Sequence, residues 1–161
     1  MFRSLIILLL SFFLLFACSK KENKEIISQP TEEEIVVALY AEAVEALETG
    51  DAYFAAKKFK EAESLMPQSE WGAKASLMSS YADYTRNAYS ASVFNLERHI
   101  KNYPADKNIP YAHYLIAICY YEQILDEKKD LQPLLQAKKK FEFIILNYPE
   151  TDYATDSRFK I

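Results

Sequence analysis

Glycine is almost missing: Gly50 and Gly72 are the only two in 161 residues. A loop that cradles phosphate needs several glycines close together, so that class of nucleotide chemistry is excluded. Cysteine is as scarce, with Cys18 and Cys119 alone, and the two histidines, His99 and His113, stand apart from them. No Cys/His set has metal-binding spacing, and no nucleophile sits beside a base. The chain is therefore expected to have no catalytic residues, no metal and no enzymatic activity. A basic surplus is missing too. Lys and Arg total 19 against 23 Asp and Glu, a net charge of −4, which argues against nucleic acid. No apolar run reaches the ~20 residues that span a bilayer. No stretch alternates apolar and polar between turn signals, so no β-strand is expected. What remains is rich in Ala, Glu, Lys, Leu and Tyr, which favours helix. The expected fold class is all-α.

The first segment reads as a targeting signal. Arg3 is the only charge before Cys18, and Leu5 to Phe16 form a twelve-residue run, apolar except for Ser11, a normal length for a signal-peptide core. Leu15-Phe16-Ala17-Cys18 looks like the bacterial lipobox, with Phe16 where a small residue is usual. Residues 1–17 are expected to be removed and Cys18 to carry a diacylglycerol and an N-acyl chain, the only non-protein groups expected. Ser19 stands where lipoproteins kept in the inner membrane typically have Asp, so the expected address is the periplasmic side of the outer membrane, lipid-anchored. Residues 18–33 read as the lipidated Cys and a flexible polar tether. Thr31-Glu32-Glu33-Glu34 then has the form of a capping box. Cys119, in Ile116-Ala117-Ile118-Cys119-Tyr120-Tyr121, reads as a small buried hydrophobe.

The rest of the chain repeats. Pro67, Pro104 and Pro149 stand 37 and 45 residues apart, each in similar surroundings. Twelve residues before them lie Ala55, Ser92 and Ala137, which are small. Eight before lie Phe59, Leu96 and Phe141, which are large and apolar. Five before lie Ala62, His99 and Ile144. Two antiparallel helices cross closely only where one lacks bulk, and a large residue one turn later fills the groove beside the contact. Pro then ends the second helix. This is the tetratricopeptide logic: a solenoid of antiparallel helix pairs over residues 34–161, with repeats at about 36–69, 73–106 and 111–151 and a fourth just begun. Gly50 and Asn87 take equivalent places where the first helix of a pair must stop. A longer turn around Asp126 to Asp130 explains the 45-residue spacing. Helices are expected at about 32–48, 52–66, 70–86, 89–103, 109–125 and 132–147, with a seventh beginning near Tyr153.

These residues also resemble a known family. Tyr40-Ala41-x-Ala43, Gly50-Asp51-x-x-x-Ala55-x-x-x-Phe59 and Pro67-x-Ser69-x-Trp71 are similar to the opening of the BamD (ComL/YfiO) outer-membrane assembly lipoproteins. Tyr81-Ala82-x-Tyr84, Tyr111-Ala112-x-Tyr114-Leu115, Ala137-x-x-x-Phe141 and Tyr148-Pro149-x-Thr151-x-Tyr153-Ala154-x-Asp156 continue the likeness in order. Lys129-Asp130-Leu131 departs from the family's Arg-Asp-Gln. The family has about five repeats, so the C-terminal part is expected to be incomplete here. The resemblance implies a scaffold and client-binding lipoprotein of the machinery (BAM) that folds and inserts outer-membrane β-barrel proteins. Its implied partners are the BamA-type barrel, the other BAM lipoproteins, unfolded β-barrel clients and the outer membrane. The N-terminal repeats would receive the aromatic C-terminal signal of a client. A different periplasmic tetratricopeptide lipoprotein, an adaptor in envelope or division processes, is the alternative.

In such solenoids the first helix of each pair lines the concave face. Helical spacing places Val37, Tyr40, Val44 and Leu47 there in the first repeat, Lys74, Leu77, Tyr81 and Tyr84 in the second, and Tyr114, Ala117, Tyr121 and Ile124 in the third. The peptide-binding groove is therefore assigned to Tyr40, Leu47, Leu77, Tyr81, Tyr84, Tyr114 and Tyr121. Each Tyr offers a rigid ring and a hydroxyl for a peptide carbonyl. The competing reading is that these rings pack between helices. Lys138-Lys139-Lys140 reads as a solvated helix face.

Overall fold

The computed structural model describes residues 29–124 and 131–161. The signal segment, Cys18, most of the tether and the turn at Asp126–Asp130 lie outside the described residues. Within them are seven helices and no strand. They are α1 (Glu32–Glu48), α2 (Ala52–Leu65), α3 (Glu70–Thr85), α4 (Tyr89–Asn102), α5 (Ile109–Gln123), α6 (Gln132–Asn147) and α7 (Asp152–Lys160). Each lies within two residues of its expected span.

Local chemistry sets the ends. The Thr31 hydroxyl accepts from the Glu34 N–H at 3.2 Å, while the Glu34 carboxylate accepts from the Thr31 N–H at 2.7 Å, completing the capping box. Asp51, Ser69 and Thr151 cap α2, α3 and α7 from one side only, each side chain accepting from a first-turn N–H. Helices α1 and α3 both stop on a left-handed residue, Gly50 at φ 90° and Asn87 at φ 61°. In each case the next N–H reaches back into the last turn: Asp51 to the Ala46 carbonyl at 2.8 Å, Ala88 to the Asp83 carbonyl at 2.9 Å. The residues before the three prolines, Met66, Tyr103 and Tyr148, share nearly one conformation, with φ between −126° and −134° and ψ between 49° and 63°. A following proline excludes the α region there, so the chain turns at the same point in every repeat. Gly72 matters for space: a Cβ there would sit 2.3 Å from the Met66 carbonyl oxygen, so only glycine lets α3 start against that turn.

Packing follows the repeat. All nine residues at the three positions counted back from the prolines are at most 2 % exposed. They anchor three linked cores. One centres on Val36, Ala43, Ala55 and Phe59, one on Leu77, Leu96, Leu115 and Ile116, and one on Ala117, Ala137, Phe141 and Ile144. Each helix packs on its sequence neighbours, and α1, α3, α5 and α7 also approach one another in succession. Helices α2, α4 and α6 make no such backbone approach. The stack therefore curves, with α1, α3, α5 and α7 on the inside. On the spread side, among the described residues, long side chains bridge the gap, Arg98 to Glu63 at 2.7 Å and Lys140 to Glu97 at 3.5 Å.

Candidate functional site

The inner helices carry the aromatic residues singled out from the sequence. Tyr81 and Tyr84 on α3 lie side by side with ring centroids 6.1 Å apart, and Tyr84 continues to Tyr89 at 5.9 Å. Tyr84 touches the second and third cores at once, so it sits in the seam between successive repeats. On α5, Tyr114 packs on Tyr153 of α7 at 5.2 Å and its hydroxyl donates to the Asp156 carboxylate. Tyr111 meets the same Tyr153 at 5.6 Å. Burial pushes the Tyr111 hydroxyl far above its ordinary range, with Tyr81, Tyr153 and Tyr84 adding in the same direction. Tyr114 is raised by burial first and then by its bond to Asp156. The result is a continuous seam of partly buried tyrosines, Tyr81, Tyr84, Tyr111, Tyr114 and Tyr153.

The other assigned positions fall around this seam. Tyr40 packs edge-on against Phe59 and Trp71 at 5.1 and 5.4 Å and stays with the first core. Leu47 is partly buried there, and shares a hollow of about 370 Å³ with Tyr81. Tyr121 rests edge-on against Phe141 at 6.1 Å, with the Lys160 ammonium 4.9 Å above its ring. Leu77 must be corrected. It is buried against Val93, Leu96 and Leu115 and cannot line an open groove, because the second repeat has neighbours on both sides. Ala117 is likewise fully buried. Tyr111 and Tyr153 were missed. Tyr111 precedes Tyr114 by one helical step of three, which was the available signal.

A buried polar cluster lies where α2, α3 and α4 meet. Asp83, on α3, is fully buried. One carboxylate oxygen accepts from Arg86 Nε at 3.0 Å and Nη2 at 2.9 Å, and the other from Asn95 at 2.8 Å and Lys60 at 3.4 Å. Glu63 is similarly enclosed by Arg98 and by the Tyr103 hydroxyl at 3.3 Å. Burial and Glu63 together push Tyr103 up to about 12.

Comparison with known proteins places this geometry. The family model described as "Outer membrane lipoprotein" (YfiO) matches residues 32–161. The chain belongs to this family. A Caulobacter vibrioides protein named "Outer membrane protein assembly factor BamD" is 39 % identical over 130 residues, which is 81 % of this chain and 43 % of that protein. Proteins of the same name from Rickettsia prowazekii, 32 % identical over 143 residues, and Xylella fastidiosa, 27 % identical over 165 residues, cover 89 % and 96 % of this chain and 55 % of each relative. The chain thus spans about half the length of the curated relatives it matches.

In this outer membrane lipoprotein family member, the remaining reactive groups are spent on packing. Cys119 is fully buried, its thiol 3.5 Å from the Ser92 hydroxyl, and burial raises it to about 11, so little thiolate forms at neutral pH. Among the described residues no group of three His, Cys, Asp or Glu side chains is placed to hold a metal ion, and no helix is long and apolar enough to cross a membrane. His99 occupies its repeat position with no solvent exposure and neither ring nitrogen hydrogen-bonded, Nε2 lying 3.6 Å from Asp106. Burial holds its pKa below the ordinary 6.5, against the pull of Asp106 and Glu63, with Arg98 acting in the same direction as burial. His113 is also lowered, by burial and Lys140. As pH falls through 6.5 the unfolded chain takes up protons before the folded one, so stability is full above that pH and declines below it. Urea midpoints at about pH 7.5 and 5.5 should differ for the native chain, and differ less for His99→Phe. An unchanged difference would mean that His99 is not held neutral by the fold.

Proposed function

We propose that this chain is the client-facing part of a lipid-anchored assembly factor of the outer membrane. Cys18, carrying acyl chains, holds it to the periplasmic side of the membrane. Its tyrosine seam receives the aromatic C-terminal segment of an unfolded β-barrel protein, and its partners are a BamA-type barrel and the other BAM lipoproteins. The observation that carries this reading is the row of partly buried Tyr rings along the inner helices, in a chain of an outer membrane lipoprotein family. Such rings give an extended peptide large rigid contacts at low entropy cost, and hydroxyls not already donating, as Tyr114's does to Asp156, can meet its carbonyls. The role matches a solenoid, whose curved inner face accepts segments too extended for a compact pocket. Each buried methylene of an acyl chain contributes ~0.8 kcal/mol, and more than one chain is needed for a stable anchor.

The test is fractionation with labelled palmitate. The native chain should incorporate label, sediment with outer membranes and co-purify a BamA-type barrel. Cys18→Ser should lose the label and the membrane fraction while its domain stays folded. Label persisting in Cys18→Ser would remove the anchor assignment, and the absence of any barrel partner would remove the assembly assignment.

A further inference from the structure

The tyrosine seam uses the inner helices, but a sizeable groove lies elsewhere. It runs along α2, has a volume of about 670 Å³, and is lined also by Leu39 and Leu65 and by Asp83 and Arg86 at the end of α3. Tyr53, Lys57, Lys60 and Ser64 recur along it every three or four residues on one face of α2. From residue 53 to 65 that stripe is about 18 Å long at 1.5 Å per residue. We propose that this groove is a second docking face, for an extended acidic segment of a partner polypeptide.

Charge decides the sign of the occupant. The chain as a whole is acidic, at −4, yet this groove presents cations. Lys57, Lys60 and Arg86 outnumber the two acids of the groove, Asp83 and Glu61, and the buried Asp83 turns its oxygens to four donor contacts rather than to the groove. Its effect is to fix the heads of Arg86 and Lys60, whose side chains remain 37 % and 45 % exposed and keep donors to spare. Lys57 is exposed and has no carboxylate partner among the described residues. Glu61, the other acid of the groove, pairs with Lys58 at 3.4 Å. The Arg86 guanidinium also lies 5.6 Å from the Tyr53 ring centroid, which holds that exposed ring in place.

Length decides its form. A phosphate-sized ion would occupy one end only, whereas an extended chain at about 3.3 Å per residue fills the groove with five or six residues. Leu39 and Leu65 suit an apolar side chain, and Lys57, Lys60 and Arg86 suit carboxylates further along. Because α2 belongs to the spread side of the stack, such a segment would not compete with a peptide on the tyrosine seam. The two faces together would let one solenoid hold two polypeptides at once.

The probe is a fluorescein-labelled acetyl-Leu-Ala-Ala-Asp-Glu-Asp-amide, titrated by anisotropy into the processed, lipid-anchored protein in neutral detergent. Binding should weaken about five-fold with Lys60→Gln and with Lys57→Gln, at unchanged melting temperature, as expected for partly exposed charge pairs. It should also fall with added salt. A peptide with Asn and Gln in place of the acids should bind several-fold more weakly. Equal affinity for the two peptides, or no loss in either lysine variant, would overturn the proposal. Displacement of the probe by equimolar inorganic phosphate, or by anionic vesicles alone, would overturn it in favour of a simple anion or lipid site.

Discussion

Phe59→Ala is expected to lower the unfolding free energy by about 3–5 kcal/mol, the cost of emptying a fully buried aromatic site. Phe59 has no solvent exposure and stands eight residues before Pro67, where it fills the groove beside the Ala55 crossing and supports the Tyr40 ring at 5.1 Å. Its fully buried neighbours Val36, Ala43 and Ala62 are short and leave most of the ring's volume unfilled. Total stability for a domain is only about 5–15 kcal/mol, so the first repeat should unfold well before the others at intermediate urea. Equilibrium urea unfolding followed by circular dichroism and by Trp71 fluorescence would measure this. A loss below about 1 kcal/mol would show that Phe59 is not the centre of that core.

Asp83→Ala should be the next most damaging change, at about 2–3 kcal/mol. The loss has two unequal sources. Removing the carboxylate strands the Asn95 amide in the interior, which costs about 1–3 kcal/mol for an unsatisfied buried group. Arg86 and Lys60 are more than one-third exposed and return largely to water, so their part is small. Asp83→Asn keeps an acceptor and should recover part of the loss. Matched urea midpoints for the three proteins test this, and equal stability of Asp83→Ala and the native chain would contradict it.

The repeat frame was legible because it rests on steric demands that few residue types meet. Only small residues fit at Ala55, Ser92 and Ala137, only large ones fill the site of Phe59, Leu96 and Phe141, and Pro67, Pro104 and Pro149 cannot continue the helix that runs up to them. Gly50 and Asn87 were readable as left-handed stops for the same reason. The face of each inner helix was less legible. Leu77 is one repeat on from Tyr40, yet Tyr40 lies at an edge of the stack while Leu77 is enclosed by α4 and α5. On α5, Leu115 to Cys119 are five buried residues in a row, so apolar periodicity could not separate the core face from the inner face. The Asp83 cluster joins three helices through Lys60, Asn95 and Arg86, a pairing with no trace in local spacing.

The tyrosine seam is the centre of the account, and one double measurement addresses it. Tyr81→Ala and Tyr84→Ala are made, and each is assayed for its melt and for affinity toward a peptide ending in an aromatic residue and the same peptide ending in Ala. Both rings are only partly buried, so their removal should cost less stability than Phe59→Ala. As aromatic anchors they should each cost more than ~1 kcal/mol of binding. The account predicts that the native chain prefers the aromatic-ended peptide and that both variants lose this preference at a modest cost in melting temperature. A collapsed melt in either variant, or equal affinity of the native chain for the two peptides, would contradict it.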